Sequence, residues 1–157
     1  DRIMRTWHLA RWTGAVVLFA CTTAGFANAA SSSEATVEQL KTRLSSTSIG
    51  DRPHLCLQIA QKQLVEADKL YAANEIEKAQ GSLTDVVAFS ELARDYAIQS
   101  HKYQKQTEIA VRSMTRKLTD LLHSLSHDDQ TPVRDAVKKL ERVRDDLLTA
   151  MFPKGMK

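Results

Sequence analysis

The chain has little of what β-structure and tight loops require. It holds five glycines and three prolines in 157 residues, and no Asn-Gly or Asp-Gly pair occurs, so two-residue hairpin turns have no evident place. No alternation of apolar and polar residues runs beyond a few positions, which removes the other strand signal. Between Gly81 and Pro132 there is neither glycine nor proline. Cysteine is as scarce: Cys21 and Cys56 are the pair, with no Cys-x-x-Cys-His run, which excludes covalent c-type haem. The glycines past residue 30 are Gly50, Gly81 and Gly155, so no glycine-rich phosphate loop can be assembled. Nor is there a nucleophile elbow around a serine. These absences leave an all-α protein without a catalytic motif, and no cofactor is expected.

What is present begins at Met4, with Asp1 to Ile3 read as an overhang upstream of the natural start. Arg5 and Arg11 precede an apolar run from Trp12 to Phe26, and Ala27-Asn28-Ala29 places small residues at the −3 and −1 positions of a signal-peptidase site. This is the form of a secretory signal peptide over residues 4–29, cleaved between Ala29 and Ala30. Gly14, Thr22, Thr23 and Gly25 interrupt the run, which falls short of the roughly 20 apolar residues that a membrane span needs. The expected product is a periplasmic or secreted protein. An alternative remains in Leu18-Phe19-Ala20-Cys21, which has the outline of a lipobox and would anchor the chain through a lipidated Cys21.

Removing Arg2, Arg5, Arg11 and Asp1 from the 22 basic and 19 acidic residues leaves 19 and 18, a net charge of +1 for residues 30–157. The basicity of the whole chain belongs largely to its leader. A nearly neutral exported protein has no electrostatic footprint for nucleic acid, and none is expected as a partner. With Cys21 gone Cys56 stands alone, so no intramolecular disulfide can form. Its neighbours Leu55, Leu57 and Ile59 suggest a small buried residue, the sharper alternative being a redox or dimer-forming thiol. Residues 30–157 are short enough for a single domain.

Helical periodicity fills that domain. Val37, Leu40 and Leu44 mark a short amphipathic helix over Glu34 to Ser45. Asp51 as N-cap and Pro53 in the first turn open a second helix from Arg52 to Ala73, with Leu57, Ala60, Leu64, Ala67 and Tyr71 as its seam. Asn74 tolerates the left-handed conformation that ends a helix, and with Glu77 three residues on it also fits a capping box. Thr131-Pro132 starts the last helix, whose face is Val133, Ala136, Leu140, Val143, Leu147 and Ala150. Between these, one series at 3–4 spacing runs from Ala79 through Leu83, Val86, Ser90, Ala93, Ala97, Ser100, Gln104, Thr107, Val111, Met114, Leu118 and Leu121 to Leu125. The unbroken phase predicts one long helix over Glu75 to Ser126, about 75 Å at 1.5 Å per residue, with the flanking helices folded back on its two halves. The fold expected is therefore antiparallel helical hairpins in an elongated bundle around one long central helix. The alternative is a kink near Ser100-His101 and a compact four-helix bundle.

Ala67 to Ala79 resembles the turn of a tetratricopeptide repeat, with Ala67 at the small packing position, Asn74 for the turn glycine, and Ile76 and Ala79 following. Gln63 and Glu66 occupy its upstream large apolar positions and the period does not recur, so the resemblance implies a helical hairpin and no repeat array. Gly50-Asp-Arg-Pro-His-Leu-Cys-Leu57 and Leu140-Glu-Arg-Val-Arg-Asp-Asp-Leu147 give the chain the look of a family of uncharacterised exported bacterial helical proteins. That resemblance implies no activity.

Few residues carry candidate chemistry. His123 and His127 are spaced i, i+4 on the expected helix, where two imidazoles can share a metal ion with Asp128 or Asp129 adding oxygen. The glutamate of a metalloprotease is absent between them, and both fall two positions past seam residues, toward solvent. His54 and Cys56 are two apart and should diverge. His101, Lys102, Lys105, Arg112, Arg116 and Lys117 form the densest basic stretch, interrupted only by Glu108. It reads as a solvated helix face, or as a weak contact for an anionic lipid surface or acidic partner. The function expected is non-enzymatic: an exported helical protein acting by protein–protein interaction with envelope partners or a second copy of itself, as scaffold, adaptor or chaperone. The alternatives are a periplasmic metal- or ligand-binding bundle and a lipid-anchored envelope component.

Overall fold

A computed structural model describes residues 35–153, which all fall within one compact unit. The leader, its cleavage site and the lipobox at Cys21 lie outside the described residues. Five α-helices follow in order: α1 (Val37–Ser46), α2 (Arg52–Ala72), α3 (Ile76–Ser100), α4 (Gln104–Ser124) and, after a 3-10 turn at His127–Asp129, α5 (Gln130–Met151). There is no strand among the described residues.

Local chemistry sets the boundaries. The Thr36 hydroxyl accepts from the Gln39 N–H at 3.2 Å while the Gln39 side chain accepts from the Thr36 N–H at 2.9 Å, a reciprocal capping box that starts α1. Asp51 holds the N-cap position of α2, but its carboxylate accepts from the Ser48 hydroxyl instead of capping the helix. Asn74 closes α2 in the left-handed conformation, φ 59°. The Glu75 N–H reaches the Leu70 carbonyl and the Asn74 N–H the Tyr71 carbonyl, which consumes two of the orphan acceptors at the helix end. Glu75, not Asn74, is the N-cap of α3, and no side chain caps it.

The long central helix does not form. α3 ends at Ser100 and α4 begins at Gln104, with His101 (φ 56°) and Tyr103 (φ 61°) both left-handed between them. The Ser100 hydroxyl donates to the Tyr96 carbonyl at 2.7 Å and accepts from the Lys102 N–H at 3.3 Å, satisfying polar groups at the break. The chain reverses here. Arg94 of α3 pairs with Asp146 of α5, and Glu108 of α4 pairs with Arg144, so α3 runs with α5 and against α4. The result is a compact four-helix bundle of α2 to α5, built from the α2–α3 and α4–α5 hairpins, with α1 on the outside of α2.

The apolar seams meet in one core. Cys56, Leu57, Ala60, Leu64 and Tyr71 of α2 face Ala79, Leu83, Val86 and Ala93 of α3, with Met114 and Leu118 of α4 and Leu140 and Leu147 of α5 closing it. Each fully buried leucine contributes about 1.5–3 kcal/mol. Alanines 79, 93 and 97 and Ser90 are fully buried along α3, and small residues there let its neighbours approach closely. A separate small core of Leu40, Leu55 and Ile59 fastens α1. One end of the bundle gathers loop 47–51, turn 101–103 and the end of α5. The other gathers turn 73–75 and the connection 125–129.

Candidate functional site

The expected histidine pair does not lie on one continuous helix. α4 ends at Ser124, and Leu125 (ψ 154°) and Ser126 (ψ 153°) are extended, so His123 lies in the last turn of α4 while His127 opens the 3-10 turn. The i, i+4 geometry that would bring the two imidazoles together needs a helix this segment does not form. Both are exposed, and no group of three or more His, Cys, Asp or Glu side chains among the described residues could hold a metal ion. His54 and Cys56 diverge, the imidazole being exposed and the thiol fully buried. Burial pushes the Cys56 thiol up to about 11, against which the nearby Arg52 charge acts only in part.

The basic stretch is divided by the α3–α4 turn. His101, Lys102 and Lys105 stand at one end of the bundle, whereas Arg112, Arg116 and Lys117 run down the side of α4. Its one acidic member is the buried one: the Glu108 side chain is 9% exposed, 2.8 Å from Arg144 and 3.6 Å from Arg112. This carboxylate ties α4 to α5 and is a structural counter-ion to its basic neighbours.

A surface concavity among the described residues lies where the sequence offered no motif. α1 has 10 residues and α2 has 21, so at 1.5 Å per residue α1 spans roughly half the length of its partner. Leu40 seats α1 on Leu55 and Ile59, toward the start of α2. Lys41 fixes it from the far side, its ammonium 3.3 Å from Asp85 of α3 and 5.5 Å above the Phe89 ring. Gln63 donates to the same carboxylate at 2.9 Å. Beyond Leu40 the start of α1 and the outer face of α2 enclose an open groove of about 860 Å³. Val65 and the half-buried Val37 supply its apolar surface, and Glu38, Arg43, Glu66 and Lys69 line it with both signs of charge. Val65 is 50% exposed although it is β-branched and apolar.

Gln58, Gln61, Val65 and Lys69 recur at helical spacing along this groove, so its α2 wall is one face about three turns long. Sequence reasoning missed the groove because Val65 falls off the α2 seam, beside Leu64. The available signal was that an isolated valine sits in an otherwise polar stretch of the outer face. No family model matches the chain, and neither a curated protein nor a solved structure does.

Proposed function

We propose that this is a non-enzymatic, exported helical protein of the cell envelope that works through protein–protein interaction, as a scaffold, adaptor or chaperone, and that the α1–α2 groove is its binding face. The half-exposed Val65 on the groove surface, beside a helix too short to cover it, is the observation that carries the reading. A mixed-charge rim around an apolar strip is the arrangement that receives the apolar face of an amphipathic helix, with anchors at i, i+3, i+4 and i+7. Three turns of α2 match the length such a segment engages. Export rests on the segment Met4 to Ala29, and no helix among the described residues is long and apolar enough to cross a membrane.

The test is site-specific photo-crosslinking in the native envelope, with the reactive residue at Gln61 in the groove or at Glu141 on the exposed side of α5. A defined adduct is expected from Gln61 alone, and it should disappear when Val65→Asp is added while the circular dichroism of the purified protein is unchanged. Equal adducts from both positions, or indifference to Val65→Asp, would remove the groove from the function. Terminal sequencing of the same material, expected to begin at Ala30, tests export separately.

A further inference from the structure

The bundle carries its charge unevenly along its axis. At the end made by loop 47–51, turn 101–103 and the close of α5, the formal cations are Arg52, Lys102 and Lys105. The one carboxylate exposed among these segments is Asp51, already held by the Ser48 hydroxyl at 2.8 Å. The opposite end presents Glu75, Glu77, Asp128 and Asp129 against Lys69 and Lys78. The basic end is also the apolar one. Ile49 is 42% exposed, Tyr103 40% and Phe152 71%, and they come from three separate segments of the chain.

Several contacts hold these groups in place. The Lys102 side chain lies against Gly50, where an added Cβ would stand 3.0 Å from Lys102 Cδ. The Arg52 guanidinium lies 5.2 Å from the Tyr96 ring centroid and donates to the Thr47 carbonyl at 3.0 Å, tying the loop that carries Ile49 to the helix ends. The His54 and Tyr103 rings stand 6.4 Å apart. Two left-handed non-glycine residues shape the tip, and such backbone persists where the surroundings impose it.

From this placement we infer that the basic end docks on an anionic lipid bilayer, with Ile49, Tyr103 and Phe152 entering the interface and Lys102 and Lys105 facing the headgroup phosphates. Aromatic side chains favour the membrane–water boundary, and lysines near an anionic surface add attraction that salt screens. A peptide partner is recognised through a groove, a free strand edge or, for acidic motifs, a cluster of arginines, whereas here the exposed cations are lysines and the apolar groups stand on helix ends and a loop, a disposition that suits a planar partner. Docking by the tip leaves the α1–α2 groove on the flank of the bundle, so this contact is independent of the one proposed there.

Co-sedimentation of residues 30–157 with vesicles decides the matter, comparing phosphatidylglycerol–phosphatidylcholine mixtures with phosphatidylcholine alone. Binding is expected to the anionic vesicles and to fall with added salt. The double variant Lys102→Glu/Lys105→Glu should lose about thirtyfold or more in affinity, because each lysine near an anionic surface adds attraction. Phe152→Ser should weaken binding at any salt concentration. Lys138→Glu/Lys139→Glu, the same charge change on the side of α5, should retain most of the affinity, with circular dichroism showing each variant folded. No binding to anionic vesicles, equal binding to both vesicle types, or an equal loss in the two lysine double variants would overturn the proposal.

Discussion

Cys56 shows how far single residues can be read before a fold is known. Leu55, Leu57 and Ile59 around it implied burial, and the thiol is fully enclosed in the main core beside Leu57 and Ala60. Glu108 shows the opposite. In the sequence it is merely an acidic interruption in a basic run, and only the meeting of α4 with α5 reveals that Arg144 pairs with it. A partner 36 positions away leaves no local trace. For Cys56 the expected outcome is slow alkylation in the native protein near neutral pH and fast alkylation once it is unfolded, because a buried neutral thiol is a poor nucleophile. The pH dependence has a definite sign. The folded thiol is raised to about 11 from an ordinary value of 9.0, so the fold favours the protonated form. That contribution is complete below about 9 and is lost as pH rises through about 11. Thermal melts across this alkaline range should therefore fall more steeply for the native chain than for Cys56→Ala. Parallel curves, or rapid native labelling, would show the thiol to be open to solvent.

At the scale of elements, the helix seams were legible, and the reversal between α3 and α4 was legible only as the alternative, a kink near Ser100-His101 giving a compact four-helix bundle. Each position of the series from Ala79 to Leu121 is buried or half-buried as its spacing implied. Continuous phase favours a continuous helix but does not require one. Ser100 and Gln104 are four apart, so a three-residue turn occupies the interval of about one helical turn and carries the seam onto the next helix without a reset. The usual marker of such a turn is glycine, whereas His101 and Tyr103 adopt positive φ here. Histidine is enriched in that region compared with most residues, so His101 was the one available hint. Asn74, equally left-handed, was recognisable because asparagine is the commoner substitute for glycine at a helix end. Spin labels at Glu91 and Arg112 test the reversal. One straight helix would separate them by roughly 31 Å along its axis. With α3 and α4 antiparallel, both stand at similar depth below the turn, and the measured distance should be far shorter. A distance near the longer value would restore the single helix.

For the molecule as a whole, the division of its apolar contacts predicts how it opens. The core shared by α2 to α5 is extensive, whereas α1 has one fully buried side chain, Leu40, on a cluster of three. Its other fastenings are partly exposed: Lys41 and Asp85 have side chains 34% accessible each, and such an ion pair contributes about 0–1 kcal/mol. An isolated helix of this length is marginal in water, so α1 exists by virtue of docking. Opening of α1 should therefore cost much less than global unfolding, and the amides of Leu40 to Ser46 should exchange with deuterium well before those in the middle of α2 to α5. Leu40→Ala sharpens the test. A buried leucine truncated to alanine typically costs about 2–5 kcal/mol, but that cost cannot exceed the free energy by which α1 is docked. If α1 is the separable element, the variant should release it: protection over α1 collapses, while α2 to α5 melt near their original temperature. A shift of the whole melting curve by the full leucine cost, with α1 still protected, would instead make α1 an integral part of one cooperative unit. The distinction bears on function, because α1 forms one wall of the groove beside Val65. Under the proposed function, a wall that opens at low cost would let the groove widen around a partner helix, and partner binding should then slow exchange in α1 more than in any other helix.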